Sequence, residues 1–179
     1  MKVITISGKS GAGKTTVSYE LAKVLPNFIF MDIWKIKEIF EPLKLRDRKP
    51  SNKICKDTIY FIMKQTLKQN ISHNFILQES TRKAVKRYMR NYFKKEDKIY
   101  SFFLNVDLET ALKRNEEREK DTMPKKHFIE QAKNNLPKPD KNDVVINTSN
   151  KTKAQVINEI LKVIREKRSS KKVNLRKCV

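Results

Sequence analysis

Gly8-Lys9-Ser10-Gly11-Ala12-Gly13-Lys14-Thr15 is the stretch that decides the fold of this sequence. It fits the pattern G-x-x-x-x-G-K-[ST], the phosphate-binding P-loop motif. The motif follows residues 3–6, an apolar, β-branched run that is typical of a buried parallel strand. It precedes residues 16–25, in which apolar side chains recur at the spacing of a helix. The order of strand, glycine-rich loop and helix is the context in which this motif binds phosphate.

The residue types of the loop suit a polyphosphate, which needs many hydrogen-bond donors close together. Gly8, Gly11 and Gly13 let the backbone turn its N–H groups toward one point, and the helix that follows adds its positive end. Lys14 is expected to contact the β- and γ-phosphates of ATP, and the Thr15 hydroxyl to bind Mg²⁺. A glycine-rich turn without a ligand is the alternative. We predict a nucleotide site made of Gly8, Lys9, Ser10, Gly11, Ala12, Gly13, Lys14, Thr15 and Thr16.

Length and composition limit the class of protein. A chain of 179 residues fits one domain with a sizeable core. No apolar run is long enough to cross a bilayer, and the early first strand leaves no room for a signal peptide. Cys55 and Cys178 form no metal or redox spacing, which favours a reducing, cytoplasmic compartment.

The net charge of +21 is unusual for a chain of this size. A field of this sign attracts nucleotides, nucleic acid or acidic partners. The lysine-rich composition that an AT-rich genome imposes is an equally good explanation. We predict one domain over residues 1–168 and a basic tail over residues 169–179.

Two further strands are expected to end beside the P-loop, because ligands collect at the carboxyl ends of parallel strands. The second strand, residues 28–31, ends at Asp32, which is expected to be a general base for phosphoryl transfer, the N-cap of the next helix, or both. The third strand, residues 74–78, ends at Glu79, which is expected to hold a metal-bound water or the phosphate acceptor. Lys35 and Arg82 are either acceptor contacts or ordinary surface charges.

The intervening segments are predicted from composition and periodicity. Residues 41–52 are polar and contain two prolines, which indicates a loop or lid at the acceptor site. Residues 53–70 are expected to form a helix with one packed stripe, namely Ile54, Thr58, Phe61, Ile62, Gln65 and Leu67.

The last part of the chain completes the predicted sheet. Residues 99–106 form the longest apolar run and are expected to be the central strand, and residues 144–146 form the fifth. Between them, Arg114 and Arg118 are four residues apart on one helix face, as a phosphate clamp or as surface charge paired with neighbouring glutamates. The alternation of strands and helices predicts an α/β fold, a three-layer α/β/α sandwich with a five-stranded parallel sheet.

Three patches carry a resemblance to a known family: Asp32-x-x-Lys35, Glu79-Ser80-Thr81, and Leu-x-Val-Asp-Leu-Glu-Thr-Ala-Leu-Lys-Arg-Asn-x-x-Arg over residues 104–118. With the P-loop, they make the chain similar to the small P-loop kinases, and among these to the polynucleotide 5′-hydroxyl kinase and adenylylsulfate kinase group. The resemblance covers about residues 1–165 in patches. It implies that Asp32 is the general base and that Arg118 contacts the donor phosphates. Lys35 stands where that group prefers arginine, and Glu79 where it prefers aspartate.

The predicted function is an ATP- and Mg²⁺-dependent kinase that transfers the γ-phosphoryl group to a hydroxyl. The first expected acceptor is the 5′-hydroxyl of a nucleic acid. The alternative is a small metabolite or nucleotide, such as adenylylsulfate, a nucleoside or a nucleoside monophosphate. A nucleic-acid-binding NTPase or nucleotide-dependent switch is a second alternative, and it would release ADP without an acceptor.

Overall fold

Runs of apolar, mostly β-branched or aromatic residues form a five-stranded, all-parallel sheet. The computed structural model describes residues 1–40, 49–117, 124–134 and 138–173. Within these ranges the strands are β1 (Lys2–Gly8), β2 (Ile29–Met31), β3 (Asn74–Gln78), β4 (Lys98–Asn105) and β5 (Val144–Asn147). Their order in the sheet is β2-β3-β1-β4-β5. The predicted α/β fold with a parallel five-stranded sheet is confirmed.

Helices connect the strands and cover both faces of the sheet. Side-chain caps begin several of them: Asp32 accepts from the Trp34 N–H, Thr81 accepts from the Ala84 N–H, and Asp107 accepts from the Thr110 N–H. Every helix in the described part of the chain is too short or too polar to cross a bilayer. The helices are α1 (Lys14–Val24), α2 (Ile33–Glu38), α3 (Lys49–Lys68), α4 (Arg82–Tyr88), α5 (Leu108–Glu116), α6 (Lys125–Asn134) and α7 (Lys153–Val173), with a 3-10 helix over Arg90–Tyr92.

Side-chain alternation along the strands divides the core into two halves. Ile4, Ile6 and Ile76 pack with residues of α1, α5, α6 and α7 on one face of the sheet. Phe75 and Leu77 pack with residues of α2, α3 and α4 on the other. The even-numbered side chains of β3 therefore face α1, the helix that begins at the P-loop.

The sequence prediction was wrong about α3. The helix begins at Lys49, so residues 49–52 are helical and not part of the predicted loop, while residues 41–48 lie outside the described ranges. The predicted apolar stripe is largely solvent-facing, with Ile54 50% and Phe61 60% exposed. The buried face of α3 consists instead of Cys55, Ile59, Tyr60 and Met63. Both stripes have helical spacing, and only packing against the sheet selects between them.

Two smaller expectations also differ from the structure. The middle strand is β1, and β4 lies between it and the edge strand β5. Helix α7 continues to Val173, so it extends into the segment predicted as a basic tail from Ser169.

Gly8, the last residue of β1, has a backbone conformation that only glycine adopts readily. Its φ is +140°, and a Cβ built on it would lie 2.1 Å from the carbonyl oxygen of Leu104. We expect Gly8→Ala to lower the free energy of unfolding by about 3 kcal/mol or more, because strain and a backbone clash add. Gly13→Ala is the matched control: its Cβ would meet no atom within 4 Å, so only the left-handed φ of +84° costs about 1–2 kcal/mol. Urea denaturation measures both, and equal losses would contradict the proposed close packing of β1 on β4.

Candidate active site

The P-loop places uncapped helical N–H groups at the carboxyl edge of the sheet. The chain has three glycines, Gly8, Gly11 and Gly13, and all of them lie in this loop. Gly13 is the N-cap of α1 and brings no side-chain cap, and the first helical hydrogen bond runs from the Val17 N–H to the Gly13 carbonyl at 2.9 Å. The N–H groups of residues 13–16 therefore have no acceptor within the helix. Together with the open space beside Gly13, they form a cradle that suits phosphate oxygens.

The ammonium group of Lys14 lies inside this loop. Its Nζ donates to the carbonyls of Gly8 and Lys9 at 3.0 Å each, and it lies 3.1 Å from Oε1 of Glu79. An ammonium has three N–H donors, so these three contacts use all of them. The prediction that Glu79 lies beside the P-loop is confirmed by this ion pair.

Glu79 reaches Lys14 through an unusual backbone conformation. Its φ is +56°, which few residues other than glycine adopt, and its N–H donates to the Ile6 carbonyl at 3.0 Å. The left-handed conformation of Glu79 ends β3 and directs the Glu79 carboxylate to the P-loop. Backbone strain of this kind costs about 1–3 kcal/mol and is concentrated at functional sites.

Gln78 makes a contact that the sequence reasoning missed. Its Nε2 donates to the hydroxyl oxygen of Thr15 at 2.8 Å, and the Gln78 side chain is buried. The alternation along β3 contained the signal, since Gln78 is two residues after Ile76 and shares its face. The end of β3 thus contacts both predicted ligand residues of α1, Lys14 through Glu79 and Thr15 through Gln78.

Thr15 fits the role of a Mg²⁺ ligand. No group of three or more His, Cys, Asp or Glu side chains that could hold a metal occurs among the residues the structure describes. Mg²⁺ usually keeps several waters and takes one or two protein ligands plus substrate phosphates, so a single hydroxyl beside the phosphate cradle suits it. Its oxygen accepts one hydrogen bond from Gln78 and keeps a second lone pair for a ligand.

Arg114 buttresses the loop. Its Nη1 donates to the Gly11 carbonyl at 3.3 Å and to the Thr148 hydroxyl at 3.2 Å, and its Nη2 donates to the Thr148 carbonyl at 2.7 Å. Arg114 therefore joins α5, the P-loop and the residue after β5, a role that neither predicted alternative included. Its predicted contact with ATP stays a prediction, and Arg118 lies outside the described residues. The side chain of Lys9 also supports the loop, with Nζ 3.4 Å from the carbonyl of Val106.

The predicted acceptor residues differ in where they lie. Asp32 caps α2 through Oδ1, 2.9 Å from the Trp34 nitrogen, so the N-cap alternative is confirmed and the base role stays a prediction. Lys35 is exposed on α2.

The Nη1 atom of Arg82 lies away from the carboxyl edge of the sheet. Its Nη1 donates to the Ile99 carbonyl at 2.7 Å. Ile99 is level with Phe75 in the sheet, three residues before Gln78 and about 10 Å from that edge. The hydrogen bond occupies Nη1 of Arg82 in this structure, and the predicted acceptor contact stays a prediction.

A cavity of about 70 Å³ adjoins Glu79 on the side of α3. The Tyr60 hydroxyl lies 2.7 Å from the Ser80 hydroxyl at its wall, and the Tyr60 ring stacks on Tyr88 with centroids 4.3 Å apart. Burial raises the pKa of Tyr60 to about 12, so its hydroxyl stays protonated and can donate a hydrogen bond. The lining residues are Ile33, Lys56, Ile59, Tyr60, Leu77, Gln78, Glu79, Ser80, Thr81 and Ala84.

Comparisons with known proteins agree with this architecture. A family model described as an AAA domain matches residues 4–135. Among curated protein sequences, no match to this chain is found.

Solved structures with the same fold include several kinases. A sugar kinase from Janibacter sp. HTCC2649 superposes with a TM-score of 0.61 at 16% identity, over 90% of this chain and 93% of its own. A gluconokinase from Sinorhizobium meliloti 1021 gives 0.58 at 15% identity, over 98% and 97%. A candidate kinase from Chloroflexus aurantiacus gives 0.65 at 15% identity, over 92% and 96%. At these identities the likeness shows a shared P-loop α/β fold.

The contacts of Arg114 predict a stabilising role. We expect Arg114→Met to lower the free energy of unfolding by about 2 kcal/mol, because it removes charge-assisted hydrogen bonds from the carbonyls of two buried residues, Gly11 and Thr148. Lys113→Met is the control, since that side chain is exposed on the same helix and should change stability by less than about 0.5 kcal/mol. Urea denaturation compares them; equal effects would mean that Arg114 is an ordinary surface residue.

Proposed function

This chain belongs to the AAA domain family, and we propose that it acts there as an ATP- and Mg²⁺-dependent kinase with a small hydroxylated molecule as acceptor. One observation carries the proposal. Glu79 touches the P-loop lysine with its carboxylate and also lines the cavity, so the phosphate cradle and the proposed acceptor site share one residue. Simple nucleotide hydrolysis needs no second pocket at this place.

The residues of the cradle would bind and orient the nucleotide. The N–H groups at the start of α1 and the ammonium of Lys14 would donate to phosphate oxygens, and Thr15 would bind Mg²⁺. Bound Mg²⁺ supplies positive charge that offsets the charge on the phosphate oxygens. Catalysis of phosphoryl transfer depends mainly on such positioning and charge stabilisation.

Binding of the nucleotide would replace one contact of the Lys14 ammonium, and this replacement would link the nucleotide site to the acceptor site. Two of its three donors bind carbonyls of the loop itself, so a phosphate oxygen would replace the carboxylate of Glu79. The freed carboxylate would then be available to accept a hydrogen bond from an acceptor hydroxyl in the cavity. Asp32 directly precedes Ile33, and Ile33 lines the same cavity. The Oδ2 atom of Asp32 would take the proton of the acceptor hydroxyl.

The small-molecule acceptor is better supported than the nucleic-acid acceptor that the sequence favoured. Two structural neighbours are a sugar kinase and a gluconokinase, and the cavity is small. The 5′-hydroxyl of a nucleic acid remains a second candidate because of the net charge of +21. The sparse cysteines still predict a cytoplasmic location.

The acceptor class is tested with γ-labelled ATP and Mg²⁺. The panel contains sugars and sugar acids, nucleosides, nucleoside monophosphates, adenylylsulfate, and DNA and RNA oligonucleotides with 5′-hydroxyl ends. We expect label on a small hydroxylated compound, ADP release that depends on it, and no transfer by Lys14→Met. Label on oligonucleotides alone would favour the nucleic-acid acceptor, and ADP release without any acceptor would contradict a kinase.

Asp32→Asn separates the base role of this residue from its capping role. Asparagine caps a helix as well as aspartate does, so stability and nucleotide affinity should be unchanged. Turnover should fall by about 100-fold or more, because the amide cannot accept the proton.

Asp107→Asn is the control, since the Asp107 carboxylate also caps a helix, α5, by accepting from a backbone N–H. Its turnover should equal that of the wild type. A normal turnover of Asp32→Asn would show that Asp32 only caps α2.

A further inference from the structure

The outer face of α4 carries a row of positive charges. Val85 and Met89 pack the inner side of this segment against the sheet, and the side chains at helical spacing on the opposite side are exposed. These exposed side chains form no ion pair with any carboxylate that the structure describes. The four cations, which we call the cationic row and which continue from α4 into the 3-10 helix, are Lys83, Lys86, Arg87 and Arg90.

Three other helices of the chain pair their exposed lysines with acids one turn away. In the cationic row, Lys83 lies three residues before Lys86 and four before Arg87, so like charges are neighbours on the helix surface. Such pairs destabilise a helix, and an anion from outside would relieve their repulsion. The pairs in the other helices are Glu20–Lys23 at 3.0 Å, Lys53–Asp57 at 2.9 Å and Lys113–Glu117 at 4.0 Å.

The positive charge is concentrated in the part of the sequence that contains α4. Residues 58–95 include nine Lys or Arg and one Glu, whereas residues 96–134 include eight Lys or Arg and nine Asp or Glu. A bias toward lysine codons acts on all segments alike, so it does not explain a local excess beside a balanced segment. The excess at α4 therefore points to an anionic partner.

The side chains around the cationic row indicate the class of this partner. All exposed large apolar side chains of the described residues lie outside residues 82–95. A helix that binds a membrane surface needs apolar side chains beside its lysines, and a protein interface needs apolar or aromatic anchors. A purely polar and positive surface suits the backbone of a nucleic acid. The row from Lys83 to Arg90 is about 10 Å long, over which one strand of a duplex presents about three phosphates.

We propose that the cationic row is a docking surface for the phosphate backbone of a nucleic acid. This inference goes beyond the proposed function, because the docked strand is not the molecule that accepts the phosphoryl group, and Lys14 takes no part in holding it. The contacts go to phosphates and not to base edges, so binding is independent of base sequence and weakens steeply with salt.

The test measures binding of labelled oligonucleotides by fluorescence anisotropy at several salt concentrations. Single-stranded RNA, single-stranded DNA and duplex DNA are used, each already phosphorylated at its 5′ ends and without nucleotide present. The double variant Lys83→Gln/Arg87→Gln should bind about tenfold or more weakly at low salt, and the slope of log affinity against log salt should fall by about two. Its urea midpoint should not decrease, because the substitutions relieve repulsion between like charges.

The double variant Lys113→Gln/Lys125→Gln is the matched control. It removes the same charge from α5 and α6, which pack on the opposite face of the sheet from α4. Its affinity and salt slope should stay close to those of the wild type. Lys14→Met should also bind like the wild type, since the phosphate cradle is not the docking surface.

Each contrary result overturns the inference in a different way. Equal losses in the two double variants would mean that binding follows net charge alone. A loss in Lys14→Met would place the strand in the phosphate cradle. No binding of the wild-type chain to any oligonucleotide, or binding only to vesicles that contain phosphatidylserine, would exclude a nucleic acid as the partner. None of these results bears on the proposed kinase activity, because the 5′-phosphorylated strands offer no 5′-hydroxyl and no ATP is present.

Discussion

The contacts of the Lys14 ammonium hold the active site together. They tie the start of α1 to the last residue of β1, to the loop and to the end of β3, through Gly8, Lys9 and Glu79. The loop is supported from two further directions. Gly8 packs against the backbone of Leu104, and Arg114 binds the carbonyl of Gly11. A loop held at so many points keeps its N–H groups in place before a phosphate arrives, which is the preorganisation that charge stabilisation requires.

Two polar residues at the end of β3 contact different residues of the P-loop. Gln78 faces α1 and contacts Thr15, whereas Glu79 adopts a left-handed conformation and contacts Lys14. In a regular strand the two side chains would point to opposite faces of the sheet. The left-handed conformation of Glu79 brings its carboxylate to the start of α1, where Gln78 already lies. Glu79 also lines the cavity at this point. Backbone strain of this kind is concentrated at functional sites, which agrees with the role proposed for Glu79.

Local patterns predicted the fold and the position of Glu79 beside the P-loop. The P-loop motif fixes its own conformation through its glycines, and the strand-end rule placed Glu79 at the correct edge. Contacts that depend on strand register and on packing could not be predicted from local patterns. The buried face of α3, the hydrogen bond of Arg82 to Ile99 and the buttress made by Arg114 each join residues far apart in the sequence. The contact between Gln78 and Thr15 was closer to prediction, because alternation after Ile76 assigns Gln78 to the face of α1.

The central claim is that the P-loop presents the terminal phosphate to the cavity beside Glu79. A crystal structure with Mg²⁺ and a non-hydrolysable ATP analogue tests it most directly. We expect γ-phosphate oxygens within about 3 Å of the Lys14 ammonium. Glu79 should have moved off Lys14, and the terminal phosphorus should face the space lined by Tyr60 and Ser80. A γ-phosphate that points away from this space, with the pair between Lys14 and Glu79 still intact, would contradict the account.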